Sequence, residues 1–170
     1  MPTTIDTPRL LLRPFTLDDA HDYWPLVRLP DVLRYTGEDA RTTLEEVREV
    51  LLTRPLRDYA VHGYGRMACI EKSSGRLVGF CGLKYLDDMQ ETDIGYRFLL
   101  DSWGKGYATE SALALMAQGR VQFGVKRIIG LVQPANVASA RVLEKLGLVY
   151  ERSFDPDDGH GLLKLYAAGA

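Results

Sequence analysis

The stretch Ser102–Ser111, SWGKGYATES, decides how this chain is read. Two glycines, Gly104 and Gly106, bracket Lys105. From Thr109 onward, TESALALMAQGRVQFG reads as a helix apolar on most of its faces, and so largely buried. Upstream, TDIGYRFLL alternates as a pleat requires, with Ile94, Tyr96 and Phe98 opposite Gly95, Arg97 and Leu99. The order is strand, glycine turn, helix start. The first amides of such a helix lack intrahelical partners and carry the positive end of its dipole. Glycine lets backbone approach a ligand with no Cβ in the way. The turn therefore suits a pyrophosphate, and it suits a plain connection equally well. Other phosphate motifs fit poorly. GKGYATE lacks the GxxxxGK[ST] of a Walker A loop, and Thr109 stands where a dinucleotide fingerprint needs its third glycine.

Working outward, RLLLRPF (Arg9 to Phe15) reads as a first strand. TLDDAHDYWPLVRLP follows as a helix capped by Thr16 or Asp18. Thr42 to Arg54 is a second helix, with a capping box from Thr42 and Glu45 or from Thr43 and Glu46. GRMACIEK and RLVGFCGLKYL flank SSG as a hairpin. RIIGLVQ is an apolar strand, and NVASARVLEKLG a helix stopped by Gly147. LVYERSF and GHGLLKLYAA close the chain as an antiparallel pair around DPDDG. The 170 residues thus form one α/β domain, 1–170, with a mixed sheet.

The bulk numbers exclude several classes. Lys plus Arg is 21 against 23 Asp plus Glu, so no basic excess points to a nucleic-acid partner. No apolar run approaches the ~20 residues of a membrane span. MPTTIDTPRL lacks a signal-peptide pattern, so a cytoplasmic protein is expected. Cys69 and Cys81 make no disulfide framework and read as core residues. His21, His62 and His160 have no ligand spacing, so no metal is expected.

Taken together, these pieces resemble the GNAT-type N-acetyltransferases, and most closely the branch of ribosomal-protein N-terminal acetyltransferases. TPRLLLRPF resembles the branch's opening strand and LVGFCGL its central hairpin. TDIGYRFLLDSWGKGYATES resembles the strand, pyrophosphate loop and helix of the acetyl-CoA site. NVASARVLEKLGL resembles the helix after the splayed fifth strand. The resemblance implies a single-domain GNAT-type fold: about seven strands, the fourth and fifth splayed, flanked by about four helices. It implies acetyl-CoA as acetyl donor, its pyrophosphate held by the loop from Trp103 through Gly104, Lys105, Gly106, Tyr107, Ala108 and Thr109. Trp103 stands where the family pattern has Arg or Gln. A strand edge at IGYRFL would supply N–H groups to the thioester oxygen.

The resemblance also implies roles. Asp93 occupies the place of the base that takes the amine proton, with Glu91 second. The alternative for Asp93 is a solvated strand-start carboxylate. The run Asp87 to Asp93 reads as a solvated loop or as a negative rim attracting a cationic amine. The tyrosine acid of many members is replaced by Leu143. Ser139 stands near the coenzyme sulfur, as acid or as an orienting hydroxyl, or simply as a helix-start serine. Asn136 contacts pantetheine, caps the helix, or both. Tyr107 and Tyr150 are further hydroxyls, with packing their ordinary job. Tyr23, Trp24 and Tyr35 are candidates for an acceptor wall. The expected activity is transfer of acetyl to a primary amine, on a peptide N-terminus or a small molecule, by a monomer or homodimer. Its rivals are a non-catalytic acyl-CoA sensor and a dinucleotide enzyme.

Overall fold

The computed structural model describes residues 1–169. Its sheet has eight strands: β1 (Ile5–Asp6), β2 (Leu10–Pro14), β3 (Arg66–Glu71), β4 (Leu77–Leu86), β5 (Glu91–Phe98), β6 (Ile128–Val132), β7 (Val149–Phe154) and β8 (Leu163–Ala168). They lie in the order β1-β2-β3-β4-β5-β6-β8-β7. Only β5 and β6 are parallel neighbours. The strand not expected from the sequence is β1, whose residues pair with Leu11 and Leu12.

A parallel pair needs a crossover, and α5 (Tyr107–Phe123) provides it. This helix begins at Tyr107, two residues before Thr109, so Tyr107 and Ala108 belong to its first turn. It is not buried all round. Tyr107, Ser111, Ala112, Leu115, Met116 and Gly119 face the interior, while Leu113 and Val121 are exposed. The helix expected after Thr16 is broken by Pro25 and Pro30 into short turns, including α1 (Ala20–Tyr23) and α2 (Pro30–Leu33). Thr43 and Glu46 form the capping box of α3 (Leu44–Leu51). A wider turn at Leu52–Leu56 absorbs Pro55, and the chain stays helical through α4 (Arg57–His62), past the expected end at Arg54. In α6 (Val137–Lys145), Asn136 Oδ1 accepts the Ser139 N–H at 3.2 Å. At its far end Gly147, at φ +87°, lets its own N–H reach Glu144 O and the Leu148 N–H reach Leu143 O.

Helices cover both faces of the sheet. Under α5 and α6 lie Cys69, Cys81, Ile94, Phe98, Leu115 and Leu143; under α1 to α3 lie Phe15, Tyr23, Leu26, Leu51 and Phe80. Both thiols are fully buried, and burial pushes them up, Cys81 to about 12, which disfavours the thiolate that a nucleophile needs.

One departure from regularity places the site. β5 and β6 pair only at Thr92–Ile128 and Asp93–Ile129. Beyond that, β5 runs on to Phe98 and β6 to Val132 without each other. This is the splay expected of the fourth and fifth strands, which β1 renumbers as fifth and sixth.

Candidate active site

The loop that follows β5 is held open by two left-handed glycines, Gly104 at φ +73° and Gly106 at φ +80°. None of the backbone N–H groups from Gly104 through Thr109 has a partner among the described residues. Trp103 through Gly106 is exposed. Trp103 itself is not one of the free donors. Its N–H bonds to Leu100 O, and its indole N–H donates to Phe98 O at 2.9 Å. Trp103 therefore pins the loop base to the end of β5.

Residues far away in sequence brace the loop. Arg9 Nη1 donates to Lys105 O at 2.6 Å, and Arg9 Nε to Glu110 Oε1 at 3.0 Å. Thr7 Oγ1 and the Arg9 N–H both reach Glu110 Oε2. Glu110 sits in the first turn of α5, where the dipole favours a carboxylate. Tyr107 Oη donates to Glu71 at 2.6 Å, and Ser74 Oγ at 2.7 Å. These two bonds hold the Glu71 carboxyl well below its usual range, at about 2. The hydroxyl of Tyr107 is thus a structural tie. The Lys105 ammonium leans the same way, 3.7 Å from Glu71.

At the splay, the backbone of β5 has two orientations. The Leu99 N–H bonds to Val78 O on β4. Alternate residues of an antiparallel ladder point the same way, so Gly95 and Arg97 also face β4. The peptide groups of Tyr96 and Phe98 face the gap. Their side chains alternate too. Tyr96 packs with Ile94 and Phe98 on the face of α5 and α6. Its hydroxyl crosses to α6, donating to Ser139 O at 2.9 Å and receiving Ser139 Oγ at 3.1 Å. Burial pushes this phenol well above its ordinary range. In the sequence Tyr96 shows only as one of the alternating residues of a pleat. Ser139 is brought to the Tyr96 hydroxyl, and Asn136 caps its helix.

Asp93 occupies the opposite face and is not solvated. It is buried, and Arg66 Nη2 holds its Oδ1 at 2.9 Å. Arg66 reaches it across Gly82 and Gly95, which are paired with each other on β4 and β5. A Cβ on Gly95 would overlap the guanidinium, with Cζ at 2.6 Å. Glu91 is committed elsewhere: Arg127 grips it at 2.9 Å and holds Glu151 as well, tying β5 to β7. The run Asp87 to Asp93 is therefore no continuous negative rim. Asp87 lies near Arg57 and His62, and Glu91 and Asp93 are ion-paired.

The aromatic candidates divide. Tyr23 is core, between Phe15 and Phe80. Trp24 Nε1 donates to Arg41 O. Tyr35 is partly exposed. Tyr150 is half exposed and shares a hydrogen bond with Ser153. Among the described residues no cluster of three His, Cys, Asp or Glu side chains is arranged for a metal, and no helix is long and apolar enough to cross a membrane.

This geometry has counterparts in known proteins. The family model "Acetyltransferase (GNAT) domain" matches residues 9–149. The chain is 32% identical to the uncharacterized protein YkkB of Bacillus subtilis (strain 168), over 89% of this chain and 88% of that one. It superposes on a GNAT-family acetyltransferase of Bacillus anthracis with TM-score 0.83 at 26% identity, covering 98% of each chain. It shares its fold, at TM-score 0.80 and 18% identity over 98% of each chain, with RimL, a ribosomal L7/L12 alpha-N-protein acetyltransferase solved with coenzyme A. The unpartnered glycine loop, the splayed strands and the match over most of the length agree: this chain belongs to the GNAT family of acetyltransferases.

Proposed function

We propose that the chain transfers the acetyl group of acetyl-CoA to a primary amine, directly and without an acyl-enzyme. The observation that carries this reading is the row of unpartnered amides from Gly104 through Thr109, at a helix start beside the open edge of β5. Those amides suit a pyrophosphate. The likeness to RimL, solved with coenzyme A, supports the donor.

The donor supplies an activated acetyl group; the protein supplies position and charge. Amides from Gly104 to Thr109 hold the pyrophosphate, with Gly104 and Gly106 setting their direction. The exposed edge at Tyr96 and Phe98 takes the pantetheine arm as an added strand and offers N–H groups to the thioester oxygen, where negative charge develops. Asn136 orients α6 beside that arm. On the other face, Asp93 accepts the amine proton directly or through water. Its ion pair with Arg66 holds the carboxylate in place. The acceptor is a peptide N-terminus or a small amine, approaching from the Asp93 face.

The test is release of free thiol from acetyl-CoA against a panel of amines: short peptides beginning with Ser or Ala, polyamines, amino acids and aminoglycosides. Amine-dependent thiol release, with acetylated product found by mass spectrometry, supports the reading. Tight acetyl-CoA binding with no turnover on any amine would favour a sensor. Absence of coenzyme binding would overturn the reading altogether.

A further inference from the structure

The family's usual tyrosine is missing from α6, where Leu143 is buried against Gly130 instead. A phenol nevertheless arrives at the start of α6, from a different element. Tyr96 stands three residues beyond the last β5–β6 pair, on the stretch of β5 whose edge is open. Its ring is anchored in the core beneath α5 and α6. Its hydroxyl spans from β5 to the first turn of α6 and meets both the hydroxyl and the carbonyl of Ser139.

We propose, resting on the acetyltransferase reading above, that Tyr96 is a catalytic residue: the hydrogen-bond donor that receives the leaving sulfur. Strand alternation assigns the two halves of the reaction to the two faces of β5. Asp93 lies on one face, for the incoming amine. Tyr96 lies on the other, for the departing thiolate. As the nitrogen bonds to the acetyl carbon, the carbon–sulfur bond breaks and its electron pair goes to sulfur. The amine proton leaves through Asp93 or water. The Tyr96 O–H gives up the Ser139 carbonyl and donates to the sulfur, which takes its own proton from solvent on release. Ser139 is then a positioning residue. Its Oγ–H donates to Tyr96 Oη and polarises the phenol, strengthening it as a donor. Burial suits Tyr96 to this task, because a phenol kept neutral retains its hydrogen throughout the working pH range. A serine alone is a weaker candidate, since its hydroxyl is already spent on Tyr96.

The experiment compares wild type with Tyr96→Phe, Ser139→Ala, and the chain carrying 3-fluorotyrosine at position 96. Phenylalanine keeps the buried ring and removes only the hydroxyl. Losing a hydrogen bond to a charged atom should lower kcat by about 10- to 100-fold, with the KM for acetyl-CoA within about twofold. Ser139→Ala should lower kcat by less, and the combined variant by no more than Tyr96→Phe alone. Fluorotyrosine, a stronger donor of nearly the same shape, should keep or raise the wild-type kcat. A Tyr96→Phe kcat within twofold of wild type overturns the proposal while leaving the transferase reading intact. Equal loss in the phenylalanine and fluorotyrosine chains also overturns it, because packing alone would then explain the effect. Silence from the wild type on every amine overturns both readings.

Discussion

Gly106 offers a sharp test of the loop, because space and backbone conformation make different demands there. At φ +80° an L-residue costs about 1–2 kcal/mol. Space is not the constraint: the nearest atom to an added Cβ is Arg9 Nη2, at an ordinary 3.4 Å. Gly106→Ala therefore keeps its room and loses its conformation. The loss of chain freedom in the unfolded state returns about 0.4–1 kcal/mol. Net destabilisation is then at most about 1.6 kcal/mol, and Tm falls by no more than about 6 °C. Coenzyme binding is affected more. The strained loop relaxes by turning its peptides, and the free amides no longer converge. Recovering their direction costs up to the strain itself, so Kd for coenzyme A rises about 5- to 30-fold. Asparagine tolerates the left-handed region far better than alanine. Gly106→Asn should therefore bind coenzyme A more tightly than Gly106→Ala, although it is the larger residue. Isothermal titration of both variants with coenzyme A decides the matter. Equal or worse binding by the asparagine variant would refute the conformational argument, and unchanged binding by both would remove the loop from the coenzyme site.

Further expectations concern the charged groups. Asp93→Asn should lower kcat at neutral pH by about 10² or more, the ordinary scale for a lost general base. It should also lower Tm, because the partly buried Arg66 loses its ion-pair partner; an unchanged pH–rate profile would dismiss Asp93 as base. Glu91→Gln should lower Tm by a few degrees, through the weakened Arg127 clamp, with kcat within about twofold. A large kcat loss there would return Glu91 to the catalytic candidates. Glu71 has a folded pKa of about 2 against an ordinary 4.5, so its stabilising contribution is complete above pH 4.5 and lost as pH falls toward 2. The Tm gap between wild type and Glu71→Gln should hold steady above pH 5 and shrink progressively as pH falls from 4.5 toward 2; a gap at pH 2.5 as wide as at pH 7 would contradict the assignment.

Much of this fold was legible because local signals and global order agreed. The pleat of TDIGYRFLL, a capping box at one of two neighbouring threonines, and the Gly147 stop each depend on neighbours in sequence; the strand forms and ends at Phe98, the box is that of Thr43 and Glu46, and Gly147 ends its helix. The continuation of α3 through Pro55 was not legible, since proline ordinarily ends a helix and only the wider turn accommodates it. The site divides on the same principle. The glycine loop could be found from its own letters. Its braces could not: Arg9 reaches Lys105 and Glu110 only because β2 and the start of α5 meet in space. Arg66 left one faint trace, the glycines in mid-strand at positions 82 and 95, which mark a close approach of some other group. Tyr96 was hidden by its own regularity. On a pleat of Ile94, Tyr96 and Phe98 it passes for core, and only the splay reveals where its hydroxyl goes.

Coenzyme is expected to occupy the free amides of the loop and the open edge of β5. Amide hydrogen exchange, followed residue by residue with and without acetyl-CoA, tests it directly. Strong protection is expected at the amides from Gly104 through Thr109 and at Tyr96 and Phe98, with Gly95 and Arg97 unchanged because they already face β4. Coenzyme binding that protects other amides and leaves both groups exchanging as before would contradict the account.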